Sequence, residues 1–357
     1  MHMRERFRGC LLAGAIGDAL GAPVEFWSLA EIRARLGPDG VSGYVNGEPA
    51  ITDDTQMTLF TAEGLIRASI RARTRGVCHA PGVVHHAYLR WLYTQGVPWA
   101  QASAAFGGAD LDGWLVMEQR LHRRRAPGNT CLSALHSGRA GSIDRPLNDS
   151  KGCGGAMRAA PVGLLIADPE QAFQLGCEVA ALTHGHPGGW LPAGVLAAVV
   201  ALVVNGESLG AAVDLSRRML ASRPASAETA RALDHAVALA AAGLPTPEDL
   251  EQLGSGWVGP EALAIAVCCA LAVDDGRSAL LASVNHSGDS DSTGAICGNL
   301  IGVTHGSEAC PPEWASALDV ADIVTQVADD LWRERFETPA QERGDPPLSW
   351  WDRYPGW

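Results

Sequence analysis

Two short clusters of carboxylate and hydroxyl side chains are the residues of this sequence best suited to chemistry. They are Thr52-Asp53-Asp54-Thr55 and Asp289-Ser290-Asp291-Ser292-Thr293, and each precedes a segment with the apolar spacing of a helix. Oxygen donors without nearby cysteine are hard ligands, which suit Mg²⁺, Mn²⁺ or Ca²⁺ better than Zn²⁺. If the fold brings the clusters together, their four carboxylates could hold two cations about 3.5–4 Å apart.

The same residue types also have an ordinary structural use. Asp, Ser and Thr cap helix N-termini, so capping alone explains either cluster, although a cap needs only one side-chain oxygen. An EF-hand beginning at Asp289 is excluded because its twelfth position is Leu300, where a bidentate Glu is required. The sequence also lacks the D-D-x-x-D motif of all-helical isoprenoid synthases and the His-Asp dipeptide of helical metal phosphohydrolases. Capping and cation binding both stay open at this point.

Residues 150–158 form a glycine-rich stretch that could bind an anion. It is not a Walker A loop because Lys151 precedes the glycines, and Met157 takes the place of the last glycine in a G-x-G-x-x-G pattern. Such glycines allow backbone amides to converge on a pyrophosphate, but they also build tight turns. The stretch therefore fits an anion site and a simple turn equally well.

Two further segments carry isolated titratable side chains. His184 and His186 follow Thr183 in a predicted interhelical loop, where a zinc site would lack a cysteine or third histidine, so a hydrogen-bonding role is favoured. Glu25 stands in a mostly apolar neighbourhood before Phe26. It is either an exposed charge or a carboxyl whose pKa is raised.

The overall charge excludes a nucleic-acid footprint. The chain has 357 residues with 40 acidic and 27 basic side chains, a formal charge of −13, and Lys151 is its only lysine. The densest basic run, Arg123 to Arg125, is interpreted as a solvated helix face. An anionic ligand would need a local device, such as backbone amides or a divalent cation.

Cysteine usage and hydropathy bear on the compartment. The nine cysteines have irregular spacing without C-x-x-C, so neither disulfides nor a zinc knuckle is indicated and a reducing, cytoplasmic setting is expected. The first 22 residues imitate a signal peptide, but Asp18 interrupts the apolar stretch. Residues 190–204 fall short of the roughly 20 that a bilayer requires. They are expected to form a core helix, and no membrane partner is expected.

Helical periodicity dominates the chain. Alanine-rich segments with helical apolar spacing recur and alternating β-branched runs are rare, which predicts an all-α protein. The helices at 191–204 and 260–273 are apolar all round and are expected to be central. The predicted helices are 4–20, 56–73, 81–95, 130–137, 169–183, 191–204, 209–221, 226–241, 247–252, 260–273, 278–284, 293–302 and 314–336.

No linker or repeat divides the sequence, so we predict one helical domain over residues 1–337. Residues 338–357 are rich in Pro and Trp. Their aromatic side chains are expected to pack this C-terminal tail onto the surface of the domain.

Taken together, these stretches resemble the ADP-ribosylglycohydrolase family, which includes the dinitrogenase-reductase-activating glycohydrolases and the ADP-ribosylarginine hydrolases. The matching segments occur in family order and span most of residues 8–302. They are Gly17-Asp18-Ala19-Leu20-Gly21 with Glu25, Thr52-Asp53-Asp54-Thr55, the loop at 154–161, Thr183-His184 and Gly288-Asp289-Ser290-Asp291-Ser292.

The resemblance implies an orthogonal multi-helix bundle with two Mg²⁺ ions, or Mn²⁺, at its centre. The metal ligands implied are Thr52, Asp53, Asp54, Asp289, Asp291 and Ser292. Ser292 stands where many relatives have Thr, and Thr293 could compete for its role. Glu25 and Asp291 are implied as catalytic residues. The substrate-binding residues implied are Gly152, Gly154, Gly155, Ala156, Met157, Arg158 and His184.

The activity implied is metal-dependent hydrolysis of the bond between ADP-ribose and an acceptor. Arginine of a protein is favoured, because the boxes at 17–25 and 288–292 look most like bacterial members that reverse mono-ADP-ribosylation. The alternatives are serine- or ester-linked conjugates and small ADP-ribosyl molecules. A non-catalytic ADP-ribose-binding or structural member is the alternative of another class.

Overall fold

Capping residues and prolines set most helix boundaries in this protein. The computed structural model describes residues 2–47, 49–107, 110–339 and 349–356. Thr246 caps its helix with a hydroxyl, Pro247 follows at the first helical position, and Asp249 completes a capping box. The described residues form helices and turns without a strand, and the one isolated bridge joins Gly152 to Val258. The prediction of an all-α protein is confirmed.

The α-helices of the described residues are α1 (Met3–Gly21), α2 (Leu29–Leu36), α3 (Asp53–Arg75), α4 (Ala80–Thr94), α5 (Trp99–Ala102), α6 (Asn129–His136), α7 (Ala160–Leu165), α8 (Pro169–Ala181), α9 (Pro187–Val204), α10 (Leu209–Ala221), α11 (Ala227–Ala240), α12 (Pro247–Leu250), α13 (Gly259–Ala272), α14 (Gly276–Val284), α15 (Ser290–His305), α16 (Pro312–Ala317), α17 (Ala321–Phe336) and α18 (Trp350–Arg353). Short 3₁₀ turns occur at Val45–Gly47, Ala104–Phe106, Leu115–Met117, Gln119–Leu121, Cys153–Gly155, Glu251–Leu253 and Gly306–Ala309.

Two helices begin earlier than the sequence predicts, and both begin in an acidic cluster. Helix α3 starts at Asp53 rather than at residue 56, and α15 starts at Ser290 rather than at residue 293. The carboxylates therefore lie in the first turns, where the positive end of each helix dipole offsets part of their charge. The predicted helix at 314–336 is also wrong in one respect, because an extended residue, Leu318, divides it into α16 and α17.

Helices α9 and α13 form the centre of the core, as their all-round apolar character predicts. Helix α9 is long and apolar enough to span a bilayer by length and composition, with a mean hydropathy of 1.9, but 94% of it is buried inside the protein. It packs against α7, α8, α10 and α13. Its apolar surface is therefore covered by other helices.

Helices α1 and α15 approach unusually closely along glycine faces. A methyl group added at Gly17 would lie 2.0 Å from the carbonyl oxygen of Gly294, and one at Gly298 would lie 2.1 Å from that of Ala13. At the end of α1, a methyl group on Gly21 would lie 2.2 Å from the carbonyl oxygen of Ser290. This contact sets the first turn of α15 beside the end of α1.

The described part of the C-terminal segment packs onto α17. Trp350 and Tyr354 are buried, and the Tyr354 hydroxyl donates a 2.8 Å hydrogen bond to Asp330 Oδ2. Residues 340–348 and 357 of the predicted tail lie outside the described residues. The predicted domain limits stay a prediction.

Candidate functional site

Asp18, near the end of α1, holds the loop that leads into α3. Its carboxylate accepts hydrogen bonds from the backbone N–H of Thr52 at 3.0 Å and of Thr55 at 3.1 Å, and from the Thr55 hydroxyl. Asp18 is fully buried. It therefore satisfies helix-start donors that would otherwise be orphaned, and it fixes where the first turn of α3 points.

The first turns of α3 and α15 meet in one pocket of about 540 Å³, a volume typical of small-molecule sites. Asp53 and Asp54 enter it from α3, and Asp289, Asp291 and Ser292 enter it from α15. The other lining residues are Glu25, Phe26, Ala126, Pro127, Gly128, Asn129, Thr130, Cys131, Gly152, Cys153, Gly154, Met157, His184 and Trp257. The two acidic clusters are thus neighbours in space.

Few hydrogen-bond donors of the protein reach these carboxylates. The Gly128 N–H donates to Asp53 Oδ2 at 3.2 Å, and the Cys153 thiol donates to Asp289 Oδ2 at 2.8 Å. Asp54 Oδ2 is buried and has no hydrogen-bond partner. An unpaired buried carboxylate oxygen is costly unless a proton or a cation reaches it.

Asp291 lies at the electrostatic centre of the cluster. Burial is the largest cause of the raised carboxyl pKa values, and the charge of Asp291 raises them further. The pKa reaches about 7 for Asp18, about 8 for Asp53 and about 9 for Glu25. The pKa values of Asp54 and Asp289 are raised well above their usual range for the same two reasons. The pocket therefore favours positive charge strongly.

The hydroxyls of Ser292 and Thr293 have different surroundings. Ser292 lines the pocket, whereas Thr293 does not. The Thr293 hydroxyl lies 2.7 Å from the Ser283 carbonyl oxygen and 2.8 Å from His286 Nε2, inside the bundle. The Ser292 hydroxyl is therefore the one available as a metal ligand. The Thr293 hydroxyl instead holds α15 against its neighbours.

The candidate ligands have the donor type that a hard divalent cation prefers, but their side chains do not form a complete coordination sphere. All the candidate donors are oxygens, and the unpartnered Asp54 Oδ2 is one of them. Across the described residues, no three or more His, Cys, Asp or Glu side chains are arranged so that they could hold a metal ion.

The glycine-rich stretch forms another wall of the pocket, touches the acidic cluster through Cys153 and Asp289, and packs against His184. A methyl group added at Gly154 would lie 3.1 Å from His184 Cε1, and one at Gly152 would lie 3.4 Å from His184 Nε2. The Cys153 N–H donates to the Trp257 carbonyl oxygen at 3.2 Å, which fixes this wall to the start of α13. A side chain at Gly154 would press on the imidazole, whereas one at Gly152 would lie at ordinary contact distance.

Arg158, at the end of the glycine-rich stretch, does not line the pocket. Its side chain is fully buried, its guanidinium lies 4.3 Å from the centre of the Tyr88 ring, and Nη2 donates to Thr183 Oγ1 at 2.6 Å. That hydroxyl lies 2.8 Å from His184 Nδ1, whereas its alternative acceptor, the Ala180 carbonyl oxygen, is 3.5 Å away. Thr183 therefore donates to Nδ1, which leaves the proton of neutral His184 on Nε2.

The environment of His184 keeps it neutral. Burial, followed by the positive charge of Arg158, lowers its pKa to about 3. The ring thus presents an N–H donor beside the glycine-rich wall at any physiological pH.

Glu25 lies at the mouth of the pocket beside a strained aromatic residue. Phe26 has φ of 71°, a left-handed conformation rare for a bulky side chain, and is 67% exposed. Its ring stacks on Trp257, with centroids 5.1 Å apart. The pair borders the opening next to Glu25.

The structure brings most of the sequence-predicted site residues together. Ten of them line the pocket: Glu25, Asp53, Asp54, Gly152, Gly154, Met157, His184, Asp289, Asp291 and Ser292. Thr52 instead lines an adjoining cleft. Gly155, Ala156 and Arg158 are buried behind the wall and do not line the pocket.

Several lining residues were not predicted as site residues from the sequence. Trp257 and residues 126–131 carry no motif, and only the folded chain reveals their place. Asp18 differs, because it lies within the box at 17–21 that carries the family resemblance. A buried carboxylate in an apolar helix was the signal that could have identified it.

Comparison with known proteins gives a consistent result. Residues 1–341 match the ADP-ribosylglycohydrolase family. The ADP-ribosyl-[dinitrogen reductase] glycohydrolase of Rhodospirillum rubrum is 24% identical over 89% of this chain and 92% of its own length. The human ADP-ribosylhydrolase ARH3 is 23% identical over 92% of this chain and 93% of its own length. A solved ADP-ribosylglycohydrolase-related protein complex has a TM-score of 0.64 and 25% identity, covering 94% of this chain and 99% of that one.

Proposed function

The chain belongs to the ADP-ribosylglycohydrolase family, and on that premise we propose that it releases ADP-ribose from a modified acceptor, with arginine of a protein as the favoured linkage. The observation that carries the proposal is the meeting of two acidic helix starts, α3 and α15, in one pocket that a glycine-rich wall also lines. Hydrolysis at the ribose anomeric carbon passes through an oxocarbenium-like state. A carboxylate-rich wall favours such developing positive charge.

We propose that two Mg²⁺ ions, or Mn²⁺, complete the site. Thr52, Asp53, Asp54, Asp289, Asp291 and Ser292 would hold them, and the orphaned Asp54 Oδ2 and the all-oxygen donor set support this assignment. Such cations supply Lewis acidity that orients ribose hydroxyls and lowers the pKa of water.

Glu25 is the candidate proton donor. In the metal-free protein its pKa is raised to about 9, first by burial and then by the charges of Asp291, Asp289 and Asp53. Bound cations would offset the contribution of those charges, and burial would remain as the cause that favours the protonated carboxyl. As the bond from the anomeric carbon to the acceptor nitrogen or oxygen breaks, Glu25 would deliver its proton to that leaving atom. Water supplies the new oxygen on the anomeric carbon, and its released proton restores Glu25. The balance is one water consumed for one free acceptor and one ADP-ribose.

The glycine-rich wall and His184 would bind the rest of the substrate. The Gly152 and Cys153 amides already donate to Ser150 Oγ and to the Trp257 carbonyl oxygen, so the glycine backbone at Gly154 is the part suited to close approach of a pyrophosphate. The Nε2–H of His184 is suited to a ribose or phosphate oxygen. Arg158 would act from behind the wall, through Thr183, instead of touching the substrate. The pocket volume of about 540 Å³ accommodates a ligand of this class.

The acceptor linkage separates the remaining candidates. The name of the Rhodospirillum relative specifies a modified protein, dinitrogen reductase, which supports a protein substrate. Hydrolysis of serine- or ester-linked or small-molecule conjugates is the second candidate, and non-catalytic binding of ADP-ribose is the third. The presence of Asp53, Asp54, Asp289, Asp291 and Glu25 in one pocket favours catalysis over mere binding.

The proposal is tested by incubating the protein with arginine-, serine- and ester-linked ADP-ribose in parallel, with Mg²⁺ or with EDTA. We expect release of ADP-ribose from the arginine conjugate with Mg²⁺ and loss of release in EDTA. Release from another conjugate alone would move the linkage to the second candidate. Binding of ADP-ribose by calorimetry without release from any conjugate would reject hydrolysis.

A further inference from the structure

A second cleft of about 400 Å³ adjoins the pocket and is bordered by the arginine run at 123–125. The sequence predicts a solvated helix face for this run, but the structure places it in a loop between the 3₁₀ turn Gln119–Leu121 and α6. Glu25 and Ala126 line both cavities. The cleft therefore opens beside the proposed proton donor.

The loop that carries the arginines is fastened to the first turn of α3 at three points. Gln56 Nε2 donates to the Arg123 carbonyl oxygen at 2.8 Å, and Arg125 Nη1 donates to the Ile51 carbonyl oxygen at 2.9 Å. The third fastening is the bond from the Gly128 N–H to Asp53. The arginine loop therefore has a fixed position relative to the acidic cluster.

The anchor at Gln56 is itself rigid. Gln56 is fully buried, and its Oε1 accepts hydrogen bonds from Trp91 Nε1 at 3.1 Å and from Gln95 Nε2 at 3.0 Å. Ala126 adopts φ of 45°, so the chain turns sharply directly after the arginines. Both features keep the arginine loop from adapting freely to its surroundings.

Two of the three arginines in this run have no ion-pair partner among the described residues, whereas the negative charge of Asp319 acts on Arg125. Arg123 and Arg124 are exposed, and neither takes part in an ion pair in the described parts of the chain. The neighbouring Arg120, by contrast, pairs with Glu118 and Asp322. Glu25 is the one carboxylate among the described residues that line the cleft. Adjacent exposed cations repel one another, so an anionic partner would relieve them.

We infer that Arg123, Arg124 and Arg125, the basic rim, bind acidic residues that flank the modified residue of a protein acceptor. The inference rests on the proposed function, because it requires the acceptor to leave the pocket past Glu25. The pyrophosphate is a poorer occupant, since Gly152, Gly154 and His184 line the pocket but not this cleft. A nucleic acid is disfavoured by the net charge of −13.

The test compares ADP-ribosylated peptides of one linkage with acidic, neutral or basic flanking residues. The variant R123A/R124A removes two exposed charges and keeps the backbone carbonyl that Gln56 binds. The control R75A/R218A removes two exposed arginines elsewhere, one of them at the far end of α3, about 33 Å from Asp53. Each exposed ion pair contributes a factor of about two to five.

We expect R123A/R124A to raise KM for the acidic peptide about tenfold and to leave the rate for the small ADP-ribosyl conjugate unchanged. The control should behave as the wild type does. Raising the salt well above 0.1 M, where the screening length is about 10 Å, should abolish the preference of the wild type. Equal KM values for the three peptides in the wild type would overturn the inference.

Other outcomes would identify a different occupant of the basic rim or a failure of the proposed function. An equal loss on the small conjugate would show that the rim binds the pyrophosphate. Fluorescence anisotropy of unmodified peptides measures binding to the basic rim without turnover. If the wild type is inactive but still prefers the acidic peptide through Arg123 and Arg124, only the proposed function is rejected. Tighter binding of an oligonucleotide than of the acidic peptide would reject the acidic protein partner.

Discussion

At the scale of the residue, the pocket has several buried acids, and the buried guanidinium of Arg158 lies near them without pairing with any. Asp53 and Asp54 are almost fully buried, yet the guanidinium of Arg158 lies behind the wall and contacts Thr183 and Tyr88 rather than a carboxylate. Desolvation penalises every one of these charges. The arrangement keeps the acids available to cations and gives His184 a fixed proton position.

The variant R158M tests the link from Arg158 to His184. Removal of the guanidinium should raise the pKa of His184 from about 3, because the positive charge that opposes its protonation is lost while burial remains. The Thr183 hydroxyl would also lose its Nη2 donor. We expect ADP-ribose to bind less tightly and the fold to be retained, since methionine fills a similar apolar volume. Ring ¹⁵N resonances that titrate identically in wild type and variant would contradict this role.

At the scale of the element, the helices could be predicted more reliably than their functional ends. Residues 209–221 were predicted with the limits of α10 itself, because its amphipathic pattern and its Ser208 cap agree. The starts of α3 and α15 were missed because Asp and Ser have low helix propensity. Hydrogen bonds from a distant helix, those to Asp18, stabilise the α3 start, and no local pattern encodes them.

The short helix α7 could not be predicted for a related reason. Helix α7 contains Pro161 and Gly163, which argue against a helix locally. A methyl group at Gly163 would lie 2.2 Å from the Ala197 carbonyl oxygen, so close packing on α9 requires this glycine. Tertiary contact therefore overrides local propensity there.

The glycine contact between α1 and α15 gives an element-scale prediction. In G298A, the new methyl group would meet backbone atoms of Ala13 and Gly14 that cannot move independently of α1. We expect a loss of about 2–4 kcal/mol in the free energy of unfolding, in the upper range for overpacking. Because α15 carries Asp289 and Asp291, cation binding should weaken as well.

The matched control for this variant is G210A on α10. A methyl group at Gly210 meets nothing within 4 Å, so this substitution should be neutral or stabilising by up to about 1 kcal/mol. Urea unfolding of the two variants beside the wild type measures the difference. Equal stabilities would show that the two helices can separate without cost.

At the scale of the whole molecule, the sequence supports the pairing of distant boxes but not the shape of the pocket. The family resemblance predicts that the acidic clusters meet, and they do line one pocket. Trp257, residues 126–131 and the adjoining cleft could not be predicted, because long-range packing alone brings them to the site. The break at Leu318 has the same origin, since both Leu318 and Val320 turn inward and are buried.

The buried acids make the stability of the whole molecule depend on pH. The pKa of Asp53, raised to about 8, means that the folded metal-free protein binds more protons than the unfolded chain near neutral pH. Stability should therefore fall as the pH rises from 6.5 to 8, by up to about 1.4 kcal/mol per pH unit for each such group. His184 and His85 are neutral in the fold, but unfolded histidines lose their protons around pH 6.5, so these residues offset part of the slope up to about pH 7.5 and add almost none above it.

Thermal unfolding in EDTA and in Mg²⁺ measures this dependence. We expect Tm to fall across this window in EDTA and to fall less in Mg²⁺, because cations replace the lost protons. The variant D291N should flatten the slope, since it removes the charge that raises the other pKa values. A Tm in EDTA that rises with pH would contradict the burial of ionisable acids in this pocket.

The joint use of both acidic clusters is tested most directly by Mn²⁺ electron paramagnetic resonance on the wild type and on D54N and D291N. If α3 and α15 hold two cations about 3.5–4 Å apart, the wild type should show a spin-coupled pair. Either substitution alone should remove the coupled signal. Uncoupled Mn²⁺ in the wild type, or a coupled pair that survives both substitutions, would show that the two helix starts do not form one cation site.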